Sequence, residues 1–272
     1  MTRLHLLPLL CLAAPGLALA DQLPLWEAGV GAALLTLPDY RGADQQRGYL
    51  LPIPYFVYRG ERLKVDREAL RGLLARSERW ELELSANGTP PVDSSHNHAR
   101  EGMPDLRPTV ELGGSLKLKL SQDKWLGAEP TLTVPLRSVF TVERQPRDIG
   151  ATAALRLNLD WDASNGWKRA LQLGPSFATQ RYHDYFYSVA DSYATTARPA
   201  YHAAGGYDGM QLTLSTSKRS GKWWFGAFAR ADDLHGTPFA DSPLVRRKTT
   251  PSAGFAISWL LAESGERVEA DD

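Results

Sequence analysis

Three groups of side chains in this 272-residue chain have the types that chemistry needs. In the first, His183 and Asp184 sit among tyrosines with Ser188 close behind. These are the residue types of a nucleophilic triad, in which a carboxylate orients the base that activates a hydroxyl. Adjacent side chains on an extended segment point to opposite faces, so this His and Asp do not converge on such a segment. No G-x-S-x-G pattern supports a nucleophile either. In the second group, Asp93, His96, His98 and Glu101 offer imidazole and carboxylate ligands suited to zinc or copper. Their spacing matches no defined motif, and a solvated polar loop is the better reading. In the third, Gly113-Gly114 and Gly205-Gly206 precede no helix and belong to no G-x-G-x-x-G or Walker pattern. Glycines there relieve crowding or mark a bulge rather than cradle phosphate. The expectation is a protein that is not an enzyme, with no catalytic, cofactor-binding or metal-binding residue.

The elements that carry these groups read as strands. Over residues 206–230, Leu212 and Leu214 alternate with Gln211, Thr213, Ser215 and Ser217. After the turn Ser220-Gly221, Phe225, Ala227 and Ala229 alternate with Gly226, Phe228 and Arg230. Period-two alternation on both sides of a tight turn is a β-hairpin, and each arm is long enough to cross a bilayer at a tilt. The same unit recurs along the chain. Twelve segments have strand character, over 24–37, 49–59, 61–67, 70–76, 79–88, 107–120, 124–138, 148–161, 167–178, 206–219, 222–232 and 249–261. The third and fourth are short, and a count of ten strands is the alternative.

The connections alternate in length. Short ones include Gly60, Ser121-Gln122-Asp123, 162–166 and Ser220-Gly221; long ones cover 38–48, 89–106, 179–205 and 233–248. Bacterial outer-membrane barrels have short periplasmic turns and longer outside loops. All eight tryptophans fall near strand ends on the short-turn side, and eight of ten tyrosines lie in or beside the long loops. Such segregation suggests aromatic girdles at two interfaces. If the apolar set faces lipid, the other set fills the lumen: Arg62, Lys64, Glu81, Glu83, Glu111, Lys117, Lys119, Glu129, Arg137, Arg156, Asp160, Lys168 and Arg230. With both signs present, an ion-paired plug is the expectation and a conducting pore the alternative.

Composition agrees. The N-terminus has Arg3, a short apolar run and Ala18-Leu19-Ala20 before Asp21, the order of a secretory signal peptide cleaved after Ala20. Cys11 lies inside that segment, so the mature chain contains no cysteine and no disulfide. Lys plus Arg equals Asp plus Glu at 31 each, so nothing points to nucleic acid. A helical membrane protein is excluded, because no long apolar segment follows the signal. The division is a signal peptide at 1–20, a barrel at 21–262 and a polar tail at 263–272.

Several runs then resemble one family. Leu37-Pro38-Asp39-Tyr40-Arg41-Gly42-Ala43-Asp44, followed by Leu51-Pro52-Ile53-Pro54-Tyr55-Phe56-Val57-Tyr58-Arg59-Gly60, is similar to the opening of the MipA/OmpV outer-membrane proteins. So are Pro90-Pro91-Val92-Asp93-Ser94 leading to Arg100-Glu101-Gly102-Met103-Pro104-Asp105-Leu106, the Tyr182 to Tyr187 run, and Ala240-Asp241-Ser242-Pro243-Leu244. The resemblance implies an outer-membrane antiparallel β-barrel of about twelve strands. It also implies a scaffold for murein-remodelling enzymes, a lytic transglycosylase and a bifunctional murein synthase, with no catalysis of its own. Other members are described as porin-like or adhesin-like, which leaves a small-solute channel, and then a rim hydrolase or adhesin, as alternatives. One departure is that Phe255 to Trp259 is followed by a polar tail instead of ending the chain.

Overall fold

A computed structural model describes residues 22–60, 63–65, 70–163 and 165–269. The expected signal peptide, Arg62 and the last three residues lie outside the described residues, and so does the side chain of Lys64. One antiparallel sheet dominates. Its strands are β1 (Trp26–Pro38), β2 (Gln46–Arg59), β3 (Leu63–Val65), β4 (Leu70–Arg76), β5 (Trp80–Thr89), β6 (Thr109–Lys119) and β7 (Glu129–Thr141). Then come β8 (Asp148–Ala154 and Arg156–Asp162, interrupted at Leu155), β9 (Trp167–Ala178), β10 (Gly206–Ser220), β11 (Trp223–Asp233) and β12 (Thr249–Glu263).

Each strand pairs with its sequence neighbour, and β12 returns to β1 from Ala253↔Thr36 to Glu263↔Glu27. The two halves of β8 both lie between β7 and β9. The sheet therefore closes as a twelve-stranded barrel with both ends of the chain on one side, as an even count requires. Closure leaves the long strands no free edge, which is what allows strands to cross lipid. At the β8 interruption the backbones crowd: a Cβ on Gly174 would lie 1.8 Å from the Leu155 carbonyl oxygen, so only glycine fits.

The alternation determines which residues face out. Val30, Leu34, Leu50, Leu136, Leu214 and Phe255 are exposed on the outer wall, and the register sets Leu50, Leu34 and Phe255 in one row. A soluble protein does not leave such a continuous apolar belt in water, whereas a barrel in a bilayer requires it.

The inner wall departs from a uniformly charged plug. On β5 to β10 the expected polar set is there, and Arg137 reaches Glu111 (3.5 Å) and Ser85 (2.9 Å). Asn158 donates to Thr133 Oγ1 (2.8 Å) and accepts from Gln172 (2.8 Å). On β1, β2, β11 and β12 the inward positions, by register, are largely apolar or small: Ala33, Leu35, Leu51, Ile53, Phe228 and Ala256. A lumen-facing residue needs only to match its neighbours across the barrel, so the charge rule holds for one half of the wall alone.

At the loop end, the segments 39–45, 90–108, 179–205 and 234–248 pack into a second core of Tyr40, Leu106, Tyr182, Phe186, Tyr187, Val189, Leu234, Phe239 and Leu244. The aromatic girdle expected there is thus only partly a girdle. Tyr40, Tyr182 and Tyr187 are buried inside this cap, while Tyr207 packs on the exposed Phe177 with ring centroids 6.0 Å apart. At the turn end the tryptophans sit where expected, but Trp224 turns inward against Tyr55, Val57 and Leu260. The polar tail folds back, and Gln22–Pro24 and Arg267–Glu269 form a small antiparallel ribbon.

Candidate functional site

The Tyr182 to Tyr187 run is helical, not extended: α1 spans Gln180–Tyr187. Its buried residues Tyr182, His183, Phe186 and Tyr187 fall at i, i+1, i+4 and i+5, one face of a helix turned into the cap. Eight residues with no side-chain hydrogen bond at the N-cap make a marginal helix alone, so packing holds it. Phe239 supplies much of that packing, stacked on Tyr187 at 3.9 Å and 9° and lying 4.4 Å from the His183 ring.

The proposed triad residues separate into two pairs. Ser188 donates to Asp184 (2.7 Å) and in turn accepts from the Ala203 amide (2.8 Å). His183, fully buried, faces the Ala204 carbonyl through Nδ1 (2.7 Å) and Asp208 through Nε2 (3.1 Å). A carbonyl and a carboxylate both accept, so neither ring nitrogen has a lone pair turned toward a hydroxyl. The histidine is thereby committed to a carboxylate and a carbonyl, and Ser188 to Asp184. A base aimed at a hydroxyl is the element a nucleophilic site needs, and the imidazole is turned elsewhere.

Asp208 is the node that sequence reading missed. It also takes the guanidinium of Arg41, whose Nε lies 3.1 Å from Asp232; Arg230 Nε is 3.0 Å from the same carboxylate. Loop 39–45, α1, β10 and β11 are thus tied together at the top of the lumen by two buried carboxylates. Burial opposes the Arg41 charge, and Asp208 and Asp232 more than compensate, holding its pKa above the ordinary arginine value. Burial likewise pushes the Tyr40, Tyr182 and Tyr187 phenols up. The signal for this node was faint: Asp208 precedes Gly209, which adopts a left-handed φ of 104°, just where β10 begins.

The second candidate group is a loop brace. His96 Nδ1 pairs with Asp93 (2.8 Å), which also accepts from the Ser95 hydroxyl (2.7 Å) and amide (2.9 Å). The Ser95 and His96 side chains and then the Ser95 amide hold the Asp93 carboxyl at a pKa of about 2. The His98 amide donates to Gln45 (2.6 Å), and the Glu101 carbonyl accepts from Arg198 (2.8 Å). Among the described residues no three such groups converge as metal ligands. Of the glycine pairs, Gly205 packs against Gln180, and Gly113 lets β6 approach β7, where a Cβ would lie 1.9 Å from the Leu136 oxygen.

The turn end carries two further features. Glu27, wholly buried, accepts from Tyr55 (3.0 Å), Arg59 (3.3 Å) and Arg219; Arg219 continues to Glu263 (3.1 Å) and Glu263 to Arg267 (3.3 Å). This chain joins the ribbon to the barrel. The turn over residues 120–128 projects beyond the wall. Trp125 and Ala128 exchange backbone hydrogen bonds (2.8 and 2.9 Å), and the Trp161 indole donates to the Leu126 carbonyl (3.1 Å). So fixed, Leu126 stands 90% exposed at a φ of 52°, a backbone strain that leucine normally avoids.

A closed twelve-stranded barrel with an apolar outer wall, a packed cap of long loops and short opposite turns defines a transmembrane β-barrel of the outer-membrane type. The sequence agrees with a known family: the model of the MltA-interacting protein MipA family matches residues 30–261, and the chain belongs to that family. Similar solved structures include two channels and a FadL homologue. An outer-membrane channel from Pseudomonas putida F1 is 12% identical, with 92% of this chain and 100% of that one covered and a TM-score of 0.38. The CymD monoaromatic hydrocarbon channel is 11% identical, over 88% and 89%, at 0.39. A Pseudomonas aeruginosa FadL homologue is 8% identical at 0.31; the match covers 77% of this chain and 60% of that longer one. No curated protein sequence matches the chain. The fold rests on the strand register described above.

Proposed function

We propose that the protein sits in the outer membrane and acts as a non-catalytic scaffold that gathers murein-remodelling enzymes at its periplasmic, turn-end face. The family's name, MltA-interacting protein, supports a lytic transglycosylase as one partner. A bifunctional murein synthase is the second partner that such a scaffold would bring to it. The observation that carries the reading is the 120–128 turn. Two backbone hydrogen bonds and an indole hold Leu126 out, 90% exposed, beside the half-exposed Trp125. Exposed leucine in a strained, rigid turn gains nothing in water, while an aromatic and aliphatic pair on a preorganised tip is an economical anchor for a partner's pocket.

The test uses the mature barrel folded in detergent, immobilised and challenged with a purified lytic transglycosylase and, separately, a murein synthase. Leu126→Asp should abolish capture while leaving the barrel's heat-modifiable gel mobility unchanged. Equal capture by the wild type and Leu126→Asp would overturn this assignment. A second reading, a small-solute channel, is favoured by one observation: Leu51 faces the lumen and is 42% exposed, so space adjoins it. Single-channel conductance in a planar bilayer separates the two, because the packed cap of a scaffold keeps the barrel silent.

A further inference from the structure

A groove of about 390 Å³ lies on the outer wall near the loop end, across β10, β11, β12 and β1. Its shape follows from the register. Two facing pairs, Ala229↔Ala253 and Ala231↔Pro251, make a floor of small residues. Leu212 and Leu214, opposite Ala231 and Ala229, form one side, and Thr36, opposite Ala253, the other. Two residues further towards the turn end, the outward Phe255 pairs with Leu34. Beside the groove the β12–β1 ladder stops at Ala253↔Thr36. Pro251 has no N–H to continue it, and the Gln46 side chain takes the Pro251 carbonyl instead (3.1 Å).

Directly above lies the basic run Arg246-Arg247-Lys248. From Lys248 to Pro251 is three residues, roughly 10 Å of extended chain. Arg246 and Arg247 are exposed and make no ion pair among the described residues, while their amides donate to the Gly42 carbonyl (2.8 and 3.0 Å) and hold them at the rim. Lys248 lies 3.9 Å from the exposed Asp241, and Asp233 is occupied by His235.

We infer that this groove binds a phosphorylated glycolipid of the outer leaflet, with an acyl chain on the alanine floor and the phosphates at Arg246 and Arg247. The pairing of an apolar slot with a cationic rim, its backbone tied to Gly42, at membrane-interface height selects an anionic head joined to a chain. A second barrel would find an apolar wall but no acidic patch to meet these arginines within the groove. The inference rests on the outer-membrane placement proposed above, with the loop end outward, and not on the scaffold role.

The test is native mass spectrometry of the detergent-folded mature barrel titrated with bisphosphoryl lipid A and, in parallel, with phosphatidylcholine. Saturable one-to-one binding of lipid A is expected, with phosphatidylcholine at least tenfold weaker. The double change Arg246→Gln/Arg247→Gln should weaken lipid A binding about thirtyfold, given the attraction of two basic residues to an anionic surface. Ala253→Trp, which fills the floor from the lipid side, should weaken it at least tenfold with gel mobility unchanged; if that variant misfolds, Ala229→Leu replaces it. Equal binding of the two lipids, indifference to both changes, or a dimer formed through this face in place of lipid binding would each overturn the inference. Loss of transglycosylase capture by Leu126→Asp is read separately, so either proposal fails alone.

Discussion

Phe239→Ala should loosen the cap without opening the barrel. Phe239 is wholly buried, stacked on Tyr187 at 3.9 Å and 4.4 Å from His183, so it bridges loop 234–248 and α1. Truncating a buried phenylalanine costs about 3–5 kcal/mol in lost burial and cavity. The wall itself is held by backbone ladders in which Phe239 takes no part. The cost therefore falls on a local opening of the cap rather than on global unfolding. At about 1.4 kcal/mol per tenfold change, protection from hydrogen exchange should drop roughly a hundredfold to a few thousandfold in peptides covering residues 180–205. Peptides from β10 and β11 should keep theirs. The assay is exchange followed by mass spectrometry in detergent micelles. A change of less than tenfold in the 180–205 peptides would refute the argument that Phe239 anchors the cap. An equal loss in β10 would refute the argument that cap and wall open separately.

Asp208→Asn should detach loop 39–45 and α1 from the wall, because it leaves Arg41 with Asp232 alone and weakens the acceptor for His183. Breaking a buried pair costs up to about 3–5 kcal/mol, less here because Arg41 is partly exposed; trypsin should then cleave the 179–205 loop at lower urea than in the wild type. Glu27→Gln should lower the midpoint of thermal unfolding, read as loss of heat-modifiable gel mobility, since Arg59 and Arg219 then share a buried neutral amide. A raised phenol pKa stabilises the fold fully below the unfolded value of about 10, and that stability is lost as pH rises above it. In a near-ultraviolet titration, Tyr40, Tyr182 and Tyr187 should therefore remain un-ionised after the exposed tyrosines have titrated, and ionise only with cap unfolding.

The class of fold was legible from the chain because it rests on two local rules. Period-two alternation marks strands, and connection length distinguishes turn from loop; together they placed twelve strands, including the short pair at β3 and β4. The position of the tryptophans at the turn end followed from the same counting. The long loops obeyed no local rule. The aromatic spacing Tyr182, His183, Phe186, Tyr187 is helical, yet its eight residues form α1 only against Phe239 and Val189, which arrive from elsewhere in the chain.

The chemistry of the candidate residues was decided the same way. His183 and Asp184 are neighbours in sequence, but the histidine's partner is Asp208 and the aspartate's is Ser188. Sequence alone thus determined the barrel, its strand count, its two unlike ends and the residue types available to each. Tertiary structure alone decided that four of the twelve strands present a largely apolar or small inner face, that Tyr40, Tyr182 and Tyr187 join a buried core rather than a girdle, and that Leu126 stands out from its turn. The physical reason is that backbone hydrogen bonding and alternation act over a few residues. Burial and ion pairing depend on side chains that only the closed barrel and its folded loops bring within reach of one another.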